Sequence, residues 1–479
     1  MGPLDPPERD LEAQANRAAE ADLSPIPVSR LVTINDLARD YYARALPGSW
    51  AEKYLGDRFS VDPEAYADFA PGYAPRGWTH LVDHLRGCAF TDEEMLAAGL
   101  ATRASTGRLI DRFRDRVVFP ISHRGEVLGF VGRRHPQRTD EDRSGPKYLN
   151  TAQTVLFHKG AQLFGTVPGL LESGAATPVL VEGPMDAIAV TVGSGGTHIG
   201  LAPLGTSLTS EQATQLAGMG PEVLVATDAD LAGALAAERA YWLLSQHNVK
   251  TRHVAMSAGD DPASLLTHRG ATALEDALHS AEPLSEILLQ ERLLHLTGPA
   301  AAGEAATVLA AASPEDWRPG LARITDKTGE RSEDVQALLA TWVAAWNRAP
   351  DEIAQDRLAE LSAVRDRLED AEKQQPDWAA IARAIDPRLP EQPDWAALVR
   401  ALDEAHADGH DVAAAVAALV AEEPLDDRPA QDLRYRLALA LPVTPHMETD
   451  FRGTVTSSGL DAEQRRTLPT PAPAPGVDR

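Results

Sequence analysis

Apolar residues recur at helical spacing from Leu31 to about Gly99, with breaks at Pro63, Pro71-Gly72 and Pro75-Arg76-Gly77. The period then shortens. Arg116-Val-Val-Phe-Pro-Ile121 and Glu126-Val-Leu-Gly-Phe-Val131 read as two strands joined by a turn at Arg124-Gly125. Residues 178–256 read as α/β. Pro178-Val-Leu-Val-Glu182 and Glu222-Val-Leu-Val-Ala-Thr-Asp228 are buried-strand runs, Thr251–Met256 is a third candidate strand, and Asp186–Val192 and Ala232–Leu244 suit helices. Apolar runs that end in acids and lead into helices predict a parallel sheet covered on both faces. Beyond Ala281 the pattern is helical and Ala-rich with no strand period. Gln375-Pro-Asp-Trp-Ala-Ala380 recurs there as Gln392-Pro-Asp-Trp-Ala-Ala397, so Asp377 and Asp394 are expected at helix starts, with Trp378 and Trp395 as anchors. The first 29 residues and the Pro-rich stretch 467–475 read as loose tails.

Charge modifies this picture. The chain of 479 residues carries 45 Lys+Arg against 71 Asp+Glu, a net of −26, which taken whole argues against a nucleic-acid partner. The distribution argues otherwise. Residues 271–479 hold 38 acids and 20 bases, whereas residues 103–160 hold 12 bases and 6 acids. One cysteine, Cys88, excludes a disulfide framework or a cysteine-rich zinc site within these residues, and is expected to be a small buried hydrophobe. No run reaches the ~20 apolar residues of a membrane span. The amino-terminal segment lacks the pattern of a secretory signal, so a cytoplasmic protein is expected.

The candidate chemistry lies in the α/β segment. Glu182 and Asp228 close strands, Asp186 follows Glu182 by four residues, Asp230 follows Asp228 by two, and Asp261 comes soon after the third strand. Carboxyl ends of parallel strands share one edge, so these acids should converge there. Clustered carboxylates need a counter-cation, and hard oxygen donors suit Mg²⁺ or Mn²⁺. Helix caps and solvated loop acids are the alternative reading for each acid alone. In the basic segment, Arg112, Arg114 and Arg116 alternate along an expected strand and should share a face, with Arg133, Lys147, Tyr148, Asn150 and Lys159 nearby in sequence. Such residues grip phosphates and stack unpaired bases, although Asp111 and Asp115 could instead pair with the arginines.

Several motifs then resemble a known family. Glu182-Gly-Pro-Met-Asp186, Leu204-Gly-Thr-Ser207 and Thr227-Asp-Ala-Asp-Leu-Ala-Gly233 are similar to the toprim domain of bacterial DnaG-type primases. Ala70–Trp78, Asp111–Ile121, Gly129-Phe-Val-Gly-Arg133, Pro146-Lys-Tyr-Leu-Asn150 and Leu156-Phe-His-Lys-Gly160 resemble that family's basic subdomain in the same order, and Ala281–Glu286 resembles the start of its helical subdomain. The resemblance implies Glu182 as catalytic acid/base, Asp186, Asp228, Asp230 and Asp261 as metal ligands, and the basic positions as a groove for template and nucleotides.

The implied architecture is multidomain, α+β with α/β. It comprises a tail (1–30), a mixed α+β basic subdomain (31–168), a toprim domain with a parallel central sheet (169–272), a helical bundle (273–348), an all-α acidic region with the Trp repeat (349–442) and a disordered tail (443–479). The implied function is metal-dependent synthesis of short RNA primers on single-stranded DNA from ribonucleoside triphosphates. A toprim nuclease and a single-strand-binding accessory protein are the alternatives. The family's zinc ribbon is expected to be absent. Short similarity of the Trp repeat and Gly409-His-Asp-Val412 to actinobacterial conjugative relaxases implies a plasmid or mobile-element setting, with a helicase or relaxase as partner. Two positions depart from the family pattern: Ala229 stands where a glycine is usual, and Ala263 where an aspartate is usual.

Overall fold

The computed structural model describes residues 26–440, apart from 139–144, 168–175, 206, 258, 375, 393, 408–409, 423 and 427. The expected tails at 1–30 and 443–479 lie almost entirely outside these residues. Two compact units divide between Ala359 and Glu360.

The first unit opens with α1 (Val28–Ala45) and α2 (Trp50–Phe59). Ser49 caps α2 by accepting from the Glu52 amide. A short 3₁₀ turn precedes β1 (Gly72–Ala74), and α3 (His80–Gly87), α4 (Asp92–Ala97), β2 (Ala101–Arg103) and β3 (Leu109–Asp111) follow. The α4 start is a complete capping box between Thr91 and Glu94. β4 (Arg116–His123), β5 (Glu126–Arg134) and β6 (Tyr148–Asn150) complete an antiparallel sheet in the order β1-β4-β5-β6. The β4–β5 turn falls at Arg124 (φ 51°) and Gly125 (φ 83°), the left-handed pair that a two-residue hairpin requires. Leu31, Ile34 and Tyr42 of α1 pack with Phe113 and Phe130 in the core beneath this sheet.

A second sheet follows. Its strands are β7 (Leu163–Phe164), β8 (Thr177–Val181), β9 (His198–Pro203), β10 (Glu222–Ala226), β11 (Lys250–His253) and β12 (Glu282–Pro283), in the order β12-β11-β10-β8-β9-β7. The four inner strands are parallel and the two edges antiparallel. Helices α5 (Pro184–Gly193), α6 (Ser210–Ala217), α7 (Leu231–Ser245) and α8 (Pro262–His279) connect them. β8 and β10 are almost wholly buried, which explains why they read as continuous apolar runs rather than alternating ones.

Helices α9 (Leu284–His295), α10 (Gly298–Ala311), α11 (Pro314–Thr328) and α12 (Ser332–Arg348) share a core that includes Leu289, Leu309, Ile324 and Leu339. The Tyr241 hydroxyl donates to the Val308 carbonyl at 2.6 Å, joining α7 to α10. α13 (Pro350–Gln374) leads into the second unit, with α14 (Trp378–Ile385), α15 (Trp395–Ala407), α16 (Val412–Glu422) and α17 (Pro429–Ala440). Trp378, Leu389, Leu398 and Leu433 are buried in that unit's own core. Asp377 caps α14 by accepting from the Ala380 amide, and the Trp378 indole N–H donates to Asp403 at 2.6 Å. No helix of the described residues is long and apolar enough to cross a membrane.

Three expectations are corrected, and one strand was not expected. The strand assumed to carry Arg112, Arg114 and Arg116 on one face does not exist: β3 ends at Asp111, and Asp115 adopts a left-handed backbone (φ 52°) before β4 begins. β9 shows no strand pattern in the sequence because Gly200, His198 and Pro203 obscure it. β12 is a short strand inside the region that read as wholly helical. Cys88 is exposed rather than buried, because it terminates α3 at the surface.

Candidate active site

The acids stand where the parallel sheet ends. Glu182 directly follows β8, Asp186 lies in the first turn of α5, and Asp228 follows β10 by two residues. Asp261 is the N-cap of α8 and accepts from the Ser264 amide. Glu182, Asp186, Asp228 and Asp261 line one cavity of about 390 Å³. Asp230 does not line it; it caps α7 by accepting from the Gly233 amide at 2.8 Å. Gly233 is required here, since a Cβ would stand 2.1 Å from the Asp228 carbonyl oxygen. Ala229 is not among the residues with a left-handed backbone, so the alanine carries no conformational penalty.

The field in this cavity favours protons. Burial raises the Asp186 carboxyl to about 7, and Asp261 pushes the same way against the Ala263 amide and Arg58. Asp228 is raised by burial, then by Asp261 and Asp230, with Lys147 opposing. Glu182 is largely exposed as a residue, yet loss of water around its carboxyl raises it, and Asp228, Asp230 and Asp261 add to the shift. The Glu182 carboxylate also accepts from the Asp228 amide at 3.0 Å, which ties the β8 end to the β10 end.

Residues of the first sheet, of α2 and of the segments next to β6 and β7 line the same cavity. Arg133, Lys147, Tyr148, Asn150 and Lys159 all line the cavity. Asn150 donates to the Leu204 carbonyl at 2.6 Å, holding β6 against the β9 end. Burial raises the Tyr148 hydroxyl far above its ordinary value, so it is a neutral donor. The three arginines of the 112–116 segment are used elsewhere. Arg112 donates to the Asn150 carbonyl at 2.8 and 2.6 Å. Arg114 lies over the Trp78 ring at 4.7 Å. Arg116 is 3% exposed and donates to the carbonyls of Gly132 and Pro146, each at 2.9 Å. Burial lowers the Arg116 guanidinium to about 10. Arg112 and Arg116 are thus bonded to main-chain carbonyls, Arg114 lies against an aromatic ring, and none of the three lines the cavity, so they do not form the single projecting basic face expected.

Sequence reasoning missed Tyr54 and Arg58. Both stand on α2, four residues apart and therefore on one helical face, and both line the cavity. Arg58 donates to both Asp261 oxygens, at 2.9 and 3.1 Å. Arg133 lies over the Tyr54 ring at 4.5 Å. Only the i,i+4 spacing hinted at a shared face; nothing local linked it to an acid 203 residues away.

The donor set suits a hard cation, being carboxylate oxygens beside few competing nitrogens. The Tyr54 hydroxyl and Arg133 Nε are buried without a hydrogen-bond partner among the described residues, as groups awaiting a ligand would be. Among the described residues, however, no three His, Cys, Asp or Glu side chains are gathered closely enough to hold a metal. The physical reason is visible in each partner. Asp230 and Asp261 are engaged as helix caps, and Arg58 already balances Asp261.

Comparison with known proteins agrees with this arrangement. Residues 41–168 match the model of the DNA primase catalytic core, N-terminal domain, and residues 179–266 match a Toprim-like model. The chain is 33% identical over 328 residues to a DNA primase of Pseudomonas aeruginosa, covering 65% of this chain and 48% of that protein. It is 38% identical over 258 residues to a DNA primase of Deinococcus radiodurans, covering 52% and 43%. The chain thus spans about half the length of the curated relatives it matches. A solved DNA primase domain from P. aeruginosa superposes with a TM-score of 0.52 at 30% identity, covering 65% of this chain and 99% of that one. The DnaG primase catalytic domain bound to ssDNA superposes with a TM-score of 0.54 at 28% identity, covering 64% and 98%. With both halves of the cavity drawn from segments that match in order, the chain belongs to the DnaG primase family through that family's catalytic core.

Proposed function

We propose that this chain synthesises short RNA on single-stranded DNA. The observation that carries the reading is that Glu182, Asp186, Asp228 and Asp261 line the same cavity as Arg133, Lys147 and Lys159. Acids and bases lining one cavity suit a triphosphate together with its counter-cation.

In this reading Asp186, Asp228 and Asp261 would be the residues that hold Mg²⁺ or Mn²⁺, which requires them to draw closer together and Asp261 to leave Arg58. Asp230 acts through its field, since it raises both Glu182 and Asp228 from outside the cavity. A divalent ion, when bound, supplies neutralisation of the phosphate oxygens. Lys147, Lys159 and Arg133 grip those oxygens, and Tyr148 donates a hydrogen bond that no nearby base can remove. The primer 3′-oxygen bonds to the α-phosphorus of the incoming ribonucleotide, the bond to the bridging oxygen breaks, and pyrophosphate leaves. Glu182, whose carboxyl burial raises above its ordinary value, accepts the hydroxyl proton.

The test is synthesis from ribonucleoside triphosphates on a single-stranded DNA template, with and without divalent ion. Short RNA that requires template, nucleotide and ion supports the reading. Cutting of DNA without nucleoside triphosphates would replace it with a toprim nuclease, and strand binding without turnover with an accessory protein.

A further inference from the structure

A second cavity, of about 470 Å³, lies in the same unit and shares no lining residue with the first. It is within the ~300–1,000 Å³ range of small-molecule sites. Trp50, Tyr73 and His135 form its aromatic surface, Asp115 stands among them, and Arg76 and Arg138 lie at its edge. Trp50 and His135 have ring centroids 4.4 Å apart, and Tyr73 meets Trp50 edge-on at 5.9 Å.

The arrangement is held by one carboxylate oxygen. Asp115 Oδ1 accepts from the Trp50 indole N–H at 2.8 Å and from the Tyr73 hydroxyl at 2.9 Å. Burial and this hydrogen bond push the Tyr73 hydroxyl up to about 12. Asp115 adopts a left-handed backbone (φ 52°), an uncommon conformation for a residue with a Cβ, and it is this turn that separates β3 from β4. Its other oxygen accepts no hydrogen bond among the described residues. The three rings are only half-buried, and Arg76 is exposed without an ion-pair partner among the described residues. A core cluster would bury its rings and pair its cation.

We infer that this cavity is a nucleotide-binding site that stacks one unpaired nucleobase on Trp50 and His135, with Arg76 on the attached phosphate. Rings stack any base because every base has a π-face, whereas arginine supplies the phosphate contact. Asp115 can accept an N–H from the base edge and repels the phosphate, which orients the phosphate toward Arg76. The position fits a strand leading to the acid-lined cavity. Trp50 lies 6.2 Å from the ring of Tyr54, which lines that cavity, so one ring pair separates the two. This site takes either a nucleotide of a single strand or a free nucleotide. Strand capture here extends the polymerase reading and does not depend on turnover.

The experiment measures anisotropy of a labelled twelve-residue oligothymidylate, and calorimetric binding of thymidine monophosphate, at one fixed salt concentration. The variants are Trp50→Ala, His135→Ala and Arg76→Ala, each checked by thermal melting. In the expected result Trp50→Ala weakens oligonucleotide binding about tenfold and Arg76→Ala about threefold, with melting unchanged in Arg76→Ala. Monophosphate binding that depends on Trp50, with oligonucleotide binding unaffected, assigns the site to free nucleotide. Should Trp50→Ala fail to fold, the exposed Arg76→Ala and Trp50→Phe, which retains a ring, decide the matter. Folded variants that bind both probes as the wild type does overturn the proposal. Trp50-dependent binding in a wild type that makes no RNA would reject the polymerase reading alone; RNA synthesis with unaltered binding in the variants would reject the site alone.

Discussion

The acids and the bases of the acid-lined cavity were placed by different rules. On the acid side, residue position follows from topology: each parallel strand delivers its last residues to one edge, so Glu182 and Asp228 meet there because β8 and β10 are neighbours. On the basic side, charge in sequence is a poor guide to charge in the cavity. Of the arginines at 112, 114 and 116, the last is buried against main-chain carbonyls, while Arg133, Lys147 and Lys159 line the cavity from other segments. A carboxylate at the end of a parallel strand has one place to go. An arginine with a long stem can satisfy local carbonyls or reach a ligand, and only packing selects between them.

The sharpest test of this comparison is to remove one residue from each side. Asp228→Ala is expected to lower RNA synthesis by about a hundredfold or more while leaving the fold intact; full synthesis in that variant would remove Asp228 from the proposed machinery. Arg116→Ala should instead act on stability. It leaves the Gly132 and Pro146 carbonyls without their donor and costs about 2 kcal/mol or more, measured by denaturant unfolding. A folded, stable Arg116→Ala with lost strand binding would restore its role as a basic groove residue. Lys147→Ala is the converse case: KM for nucleotide rises roughly fivefold to tenfold with the melting curve unchanged, as for loss of one charged hydrogen bond.

A smaller effect is expected from pH. Asp186 titrates near 7 in the folded chain, against about 3.9 when unfolded. The folded state therefore binds more protons between those values, so this group's contribution to stability falls as pH rises from about 4 to about 7. In chelator, the melting temperature should decline across that window, and Asp186→Asn should flatten the decline; an unchanged slope in that variant would show that Asp186 is not the titrating group. Ala263→Asp adds a further carboxylate in a fully buried position next to Asp186. It should lower stability in chelator and recover it in Mg²⁺, read as a larger metal-dependent melting shift than in the wild type.

Legibility varied for physical reasons. The β4–β5 hairpin was readable because Arg124-Gly125 stands between two apolar runs at a two-residue spacing. β8 and β10 were readable as short apolar runs ending in acids. β9 was not, since a strand buried between β8 and β7 needs small residues more than an alternating pattern: a Cβ on its Gly200 would meet the Ala187 carbonyl oxygen at 2.2 Å. The glycine of Gly129-Phe-Val-Gly-Arg133 has a similar cause. A Cβ on Gly132 would strike Phe113 at 2.7 Å and lie 3.2 Å from the Arg116 side chain that crosses it.

From its residues alone, the chain determined the β4–β5 hairpin and the placement of Glu182 and Asp228 at the ends of buried strands, because hydrophobic period and strand polarity are local properties. Tertiary structure decided which charges face one another. Arg58 reaches Asp261, Trp50 reaches Asp115, and Arg116 turns inward, since each outcome depends on which distant backbone lies within reach of a side chain. Sequence spacing carries no information about that distance until the sheet and α2 have packed.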